Sequence, residues 1–169
     1  NYNMQAVSFL SDQNNNRVFI FQSTISLSDE HIDYIQTTLN HKFFPNWFSH
    51  QDKITPELLI LYRHFIIIST CKPIISGCSI DSLIQQMKII NSELSIDIFN
   101  RLQIAYCSSN NNVFTSTDDL QISFLNYREL INNFPHNSKK DIYIFNNTII
   151  NSHSIWIQPF EKWLSNHIN

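Results

Sequence analysis

The sequence predicts a single domain of the α+β class. Its 169 residues suit one domain that buries about two-thirds of its unfolded surface. Apolar residues make up 43% of the chain and aromatic residues 13%, which predicts a packed core rather than disorder. The hydrophobic pattern alternates between the two-residue period of strands and the 3.6-residue period of helices. This alternation predicts strands and helices around one core.

The first strand and the first helix are predicted before residue 45. Arg17 to Thr24 is typical of a strand, and because both faces of its centre are apolar we expect it inside a sheet. Ser28 is the expected N-cap of the helix, and Pro45 is expected to end it. The apolar face of this helix comprises Ile32, Ile35, Leu39 and Phe43.

Two apolar runs follow the polar loop 49–53. Leu58 to Tyr62 and Phe65 to Ser69 predict two strands that meet at Arg63 and His64. Because Arg and His are poor turn formers, one long bent strand is the alternative.

The second helix is predicted to begin beside the only glycine of the chain. Gly77 lies in the segment Ser76–Asp81, whose sequence is SGCSID. Glycine reaches positive φ or allows close backbone approach without steric cost, so we expect a tight corner here, with Ser79 or Asp81 as the helix cap. The apolar stripe of the helix comprises Ile80, Leu83, Ile84, Met87 and Ile90. Leu102 to Tyr106 then predicts a fourth strand.

The predicted order β-α-β-β-α-β is that of a ferredoxin-like core, in which an antiparallel sheet carries both helices on one face. We expect a lead-in over 1–16, the α+β core over 17–108 and a C-terminal α/β extension over 109–169 packed on the core. The extension is predicted to contain strands at 120–124 and 142–150, a short helix at 127–132, and a last helix opened by Pro159 that buries Trp163 and Leu164.

Composition argues against several classes of function. The net charge is −3 and the densest basic spot is Lys139-Lys140, so nucleic-acid binding is disfavoured. The apolar runs are too short to cross a bilayer, and no leader pattern opens the chain. Three cysteines cannot all pair within one chain, which favours free thiols and a cytoplasmic location. The seven histidines show no metal-ligand spacing, and we expect neither a metal nor another cofactor.

Nucleotide binding through a known glycine-rich loop is excluded. A P-loop and a dinucleotide-binding turn each need several glycines, because backbone amides must wrap the phosphates. The chain has one glycine and no Gly-Lys pair.

Cys78 is the candidate catalytic residue. If the helix begins beside it, the positive end of the helix dipole favours the thiolate, and His50 or His64 could act as the base. The alternative, which we favour, is a small residue packed under the corner, with Ser79 and Asp81 serving only as caps. Trp47 beside His50 is typical of an aromatic anchor, and Arg101 near Asp97 of an ordinary ion pair.

The chain resembles a family of small proteins, found mainly in Bacteroidetes, that carry the label "ABC transporter ATPase". The resemblance runs over most of the chain, and SGCSID is its most specific piece. The other matching pieces, in order, are Arg17–Gln22, Trp47-Phe48-Ser49-His50, Arg63–Ile66, Phe99-Asn100-Arg101, Phe145-Asn146-Asn147, Trp156 and Pro159 to Trp163.

Two positions depart from the family pattern. Asn100 replaces the usual Asp, which weakens an acid/base role there, and Gln51 replaces the Gly that commonly follows the His. The family label implies ATP hydrolysis coupled to transport. Because the chain has no P-loop, and Ser76–Ser79 is not the Leu-Ser-Gly-Gly-Gln signature of transporter ATPases, we expect the label to be a misnomer.

The sequence therefore favours a soluble cytoplasmic binding or accessory module over an enzyme. Its partner is a small molecule or a protein, and an oligomer is possible. The candidate surface comprises Trp47, His50, Arg63, Gly77, Cys78, Ser79, Asp81 and Arg101. The alternatives are a thiol-dependent enzyme or redox sensor that uses Cys78, and the ATPase that the label implies.

Overall fold

The computed structural model describes residues 15–111, 113–134 and 141–168, and it confirms the α+β class. The strands are β1 (Val18–Gln22), β2 (Phe48–Ser49), β3 (Asp52–Lys53), β4 (Glu57–Leu61), β5 (Phe65–Ser69), β6 (Ile104–Ser108), β7 (Ser123–Leu125), β8 (Ile142–Phe145) and β9 (Ile157–Pro159). The helices are α1 (Asp29–Thr37), α2 (Gly77–Leu94), α3 (Tyr127–Asn133) and α4 (Phe160–Ile168). No described helix is both long enough and apolar enough to cross a membrane.

The first sheet has the strand order β1-β5-β4 and is antiparallel. Its central strand β5 is buried along its whole length, as expected for a strand that is apolar on both faces. One face, which includes Ile66 and Ile68, packs against α1 and α2 through Ile35, Leu83 and other buried residues. The opposite face points towards the second sheet.

The second sheet has the strand order β7-β6-β8-β9, and here the structure departs from the ferredoxin-like expectation. That pattern would pair β6 with β1, but β6 pairs with β7 and β8. The outer edge of β1 is instead occupied by the segment before β9: the N–H of Val18 donates to the carbonyl of Ile150 at 2.9 Å, and Arg17 bridges Asn151. The extension 109–169 thus supplies three of the four strands of this sheet.

The two sheets face each other, and helices cover both outer faces, which gives four layers. Alternation along β8 shows this directly, because Tyr143 and Phe145 join the core between the sheets whereas Ile144 joins the core under α3 and α4. The last helix begins at Phe160, because Pro159, which was predicted to open it, is the last residue of β9. The helix buries Trp163 and Leu164, as predicted.

Two details of the first half differ from the sequence prediction. The polypeptide continues past α1 through a π-helical turn (Thr38–Phe43) and a 3₁₀ turn (Phe44–Asn46), because Pro45 lies in the first turn of the latter, where its missing N–H costs nothing. The segment 49–53, predicted as a loop, belongs to the β2–β3 hairpin.

The run 58–69 forms two strands rather than one bent strand. The connecting turn places Tyr62 and Arg63 at φ values of 54° and 58°, which side chains with a Cβ rarely adopt. Lead-in residues 1–14 lie outside the described residues.

Candidate functional site

The site is built at the start of α2, where Ser76 rather than Ser79 or Asp81 is the N-cap. Ser76 has an extended backbone, with φ of −69° and ψ of 154°, and its side chain accepts a hydrogen bond from the N–H of Ser79. The predicted cap residues are already helical, so they lie inside the first two turns. The cap was assigned three to five residues too late because Ser76, Ser79 and Asp81 are all good cap formers.

The expectation for Gly77 is wrong. It is the first residue of α2, its φ is not positive, and a Cβ placed on it would meet nothing within 4 Å. This corner does not require glycine, because the serine cap and not a glycine conformation begins the helix.

The β2–β3 hairpin is fastened to the first turn of α2 by direct hydrogen bonds. The indole Nε1 of Trp47, which is buried, donates to the carbonyl of Ser79 at 2.9 Å. The N–H of Ser76 donates to Oγ of Ser49 at 2.9 Å. The ring of Trp47 also packs against the rings of Phe43 and Phe44. It is therefore an anchor that positions the hairpin, as its aromatic character suggested.

The serine hydroxyls between hairpin and helix form a directed chain. Oγ of Ser79 lies 2.6 Å from the carbonyl of Phe48, and a carbonyl only accepts, so Ser79 donates this bond. Oγ of Ser76 lies 2.6 Å from Oγ of Ser79, and because the Ser79 proton is already used, Ser76 is the donor there. The Ser79 proton thus binds the hairpin directly, and the Ser76 proton orients the Ser79 hydroxyl that does so.

A pocket of about 250 Å³ opens between the hairpin and the helix. We call it the α2 pocket, and its lining residues are Phe48, His50, Gln51, Ser76, Cys78, Ser79 and Ser82. The fold therefore brings together His50, Cys78 and Ser79, three of the residues singled out from the sequence. Cys78 is exposed, so the interpretation of Cys78 as a residue packed under the corner is wrong.

The α2 pocket offers hydrogen-bond donors and no carboxylate. No acidic residue lies in the first turn of α2 or in the lining. The first N–H groups of a helix have no partner within the helix, and no hydrogen bond from the N–H of Gly77 or Cys78 to another described residue is present. His50 and Gln51 reach this position because the β2–β3 turn holds both at positive φ, 50° and 73°.

The other candidate residues do not line this pocket. Gly77 and Asp81 belong to the same helix start but are not part of the lining. Arg63 lies in the β4–β5 turn and lines a different cavity. Arg101 is exposed and follows the far end of α2, an 18-residue helix that is about 27 Å long.

A second, larger cavity was missed by the sequence analysis. It measures about 800 Å³ and lies where the β4–β5 turn meets α1 and the segment 117–122. The signal that could have indicated it is Thr115-x-x-Asp118, a pattern in which the carboxylate folds back on the backbone of the threonine. Among the described residues no group of three or more His, Cys, Asp or Glu side chains is placed to hold a metal ion.

Comparison of the chain with models of known protein families, with curated proteins and with solved structures gave no match. The family resemblance therefore remains an expectation from the sequence.

Proposed function

We propose that this chain is a cytoplasmic binding module that holds a small anionic group in the α2 pocket. One observation carries the proposal: His50, Cys78 and Ser79, which are separated in sequence, line one pocket at the N-terminal end of an 18-residue helix. The partner is a small molecule, or a protein, that presents a carboxylate or phosphate.

The electrostatics of the pocket favour an anion. The N-terminus of a helix carries about half a positive charge, and its first N–H groups point out of the helix end. These groups bind anions readily when no side-chain carboxylate competes with the ligand. Here none does, because neither the first turn of α2 nor the pocket lining contains Asp or Glu.

Titration with inorganic phosphate and with acetate, followed by amide NMR, tests the proposal. We expect saturable shifts of the Gly77 and Cys78 amides. Cys78→Asp should abolish these shifts, because its carboxylate competes for the same N–H groups, and it should still fold because an acidic residue near a helix N-terminus is stabilising. Gln85→Glu, which adds the same charge at an exposed site in the middle of α2, is the matched control and should bind normally.

Either of two results would contradict the proposal. One is the absence of saturable shifts at Gly77 and Cys78 with both anions. The other is equal weakening by Cys78→Asp and Gln85→Glu, which would mean that only the net charge matters. Mg-ATP is the third probe, since an ATP-dependent rise in melting temperature would favour the ATPase that the family label implies.

A thiol-dependent reaction is the second candidate, because the exposed Cys78 shares the pocket with His50. Its test is the alkylation rate of Cys78 against pH in a protein with Cys71 and Cys107 replaced by Ser. Fast alkylation at neutral pH that is lost in His50→Ala would support thiol chemistry. A slow alkylation rate that is unchanged in His50→Ala would contradict thiol chemistry, and the binding module would then be the only function supported.

A further inference from the structure

The cavity at the β4–β5 turn, which we call the turn cleft, has the size of a small-molecule site. Its volume of about 800 Å³ falls within the range of roughly 300 to 1,000 Å³ that such sites occupy. Apolar side chains from three segments form part of its wall, namely Ile32 of α1, Ile60 of β4, and Leu120 with Ile122 from the segment before β7. It lies apart from the α2 pocket, with which it shares no lining residue.

The turn that forms one wall is strained but firmly held. Tyr62 and Arg63 adopt left-handed backbone conformations, which cost about 1 to 3 kcal/mol each for residues other than glycine. Hydrogen bonds from both sides maintain them: the N–H of Leu27 donates to the carbonyl of Arg63 at 2.8 Å, and the hydroxyl of Tyr62 donates to the carbonyl of Thr115 at 2.8 Å. These bonds hold the turn in its positive-φ conformation.

His64 contributes an acceptor rather than a positive charge. Its Nδ1 lies 2.7 Å from the carbonyl of Ser23, which only accepts, so Nδ1 carries the hydrogen. Burial lowers the pKa of His64, so the ring is neutral at pH 7 and its Nε2 has a lone pair to offer. The ring is steadied by Phe124, whose centroid lies 5.1 Å away.

The charges around the turn cleft leave it negative. The guanidinium of Arg63 is compensated by Asp29, whose Oδ1 lies 2.7 Å from Nη2. Asp118 and Asp119 both line the cleft without a cationic partner among the described residues. Asp118 is fixed in place because its two oxygens accept from the N–H and the hydroxyl of Thr115.

We propose that the turn cleft binds a small organic amine in its protonated form. The ammonium group is held by the carboxylates of Asp118 and Asp119 with Nε2 of His64 as a further acceptor, and the aliphatic part lies against Ile60 and Leu120. A positively charged head with an apolar body matches each property of the cleft: its net negative charge, its acceptors and its apolar wall. This site is independent of the anion site proposed at α2.

Protonated hexylamine is the probe, and hexanol and hexanoate are the comparison ligands of equal chain length. We expect saturable amide NMR shifts in residues 62–64 and 117–122 with hexylamine, weaker ones with hexanol and none with hexanoate. The Gly77 and Cys78 amides should not move with hexylamine, which separates this site from the α2 pocket.

Asp119→Asn is the main variant, because Asp119 is exposed and the fold does not depend on it. It should weaken hexylamine binding by about threefold, the effect of one partly exposed ion pair. Gln121→Lys, which adds a cation at an exposed lining position, should abolish binding. Asp52→Asn, the same neutralisation at an exposed residue outside the cleft, is the matched control and should bind normally.

Three results would overturn the proposal. They are the absence of a saturable shift with hexylamine, equal shifts of residues 62–64 and 117–122 with hexanoate, and Asp119→Asn and Gln121→Lys proteins that both bind hexylamine as tightly as the Asp52→Asn control.

Discussion

Burial distinguishes Cys107 from the other two cysteines of the chain. Cys71 and Cys78 are exposed, whereas Cys107 lies in β6 with 2% of its surface exposed and faces the core between the two sheets. Burial raises the pKa of the Cys107 thiol to about 12 from its ordinary value of 9.0, because a thiolate would have to form without solvation. Cys107 is therefore a packing residue, and only the exposed thiols are open to reagents.

Cys107 should make the protein less stable at alkaline pH. Between pH 9 and pH 12 the unfolded chain loses the thiol proton while the folded chain keeps it, so the free energy of unfolding falls as pH rises. At pH 10 the free energy of unfolding is lower than at pH 8 by about 1.4 kcal/mol from this thiol. Urea unfolding at pH 8 and pH 10 should show that loss in the natural chain and a smaller one in Cys107→Ala, because burial also raises the pKa of Tyr62. Cys78→Ala is the control and should retain the pH dependence; an equal slope in all three proteins would contradict the assignment.

The turn of the β2–β3 hairpin has a strained backbone at the two residues whose side chains line the α2 pocket. It holds His50 and Gln51 at positive φ, and the second position of such a turn favours glycine. Both side chains line the α2 pocket, so the strain lies where the proposed ligand binds.

Gln51→Gly should therefore stabilise the protein. With φ at 73°, glycine removes a steric cost of about 1 kcal/mol, and the free energy of unfolding measured with urea should rise by that amount. The matched control is Gln85→Gly, in the exposed middle of α2, which should lower the free energy by about 1 kcal/mol because glycine is a poor helix former. If Gln51→Gly lowered the free energy of unfolding as Gln85→Gly does, the turn would not be strained.

The elements show where sequence reasoning succeeds and where it stops. The periodicity of α2 and the apolar run of β5 predicted both elements. A helix that buries one stripe, or a strand that buries both faces, shows this in the spacing of its apolar residues. The partner of β6 could not be predicted, because the competitor for the edge of β1 is Ile150, more than 40 residues after β6. The α2 pocket was predicted in part, since His50 and Cys78 meet there, but Arg101 was not placed because α2 separates it from the pocket.

At the scale of the whole molecule, the boundary at residue 108 does not divide the structure into independent parts. Beyond the strand pairing of β6 with β7 and β8, a chain of amide groups crosses from one sheet to the other. The side chain of Asn147 donates to Gln22 of β1 at 2.7 Å and accepts from Nε1 of Trp156 at 2.8 Å. The N-terminal and C-terminal parts therefore share a core and its polar connections.

Trp156 is the residue through which this shared core can be tested. It is fully buried, and its ring lies 5.1 Å from that of Phe65 in the first sheet and 5.2 Å from that of Phe145 in the second. Trp156→Ala should lower the free energy of unfolding by about 3 to 5 kcal/mol, because the cavity would open on both sheets at once. Trp156→Phe keeps part of the ring packing and should lower the free energy of unfolding by less.

In the Ala variant, fluorescence reports Trp47 beside α2 and Trp163 in α4, on opposite outer layers. Since one core joins these layers, urea transitions followed by fluorescence and by circular dichroism should coincide. Separate transitions would mean that the two sheets unfold independently, and the boundary at residue 108 would then be a real one.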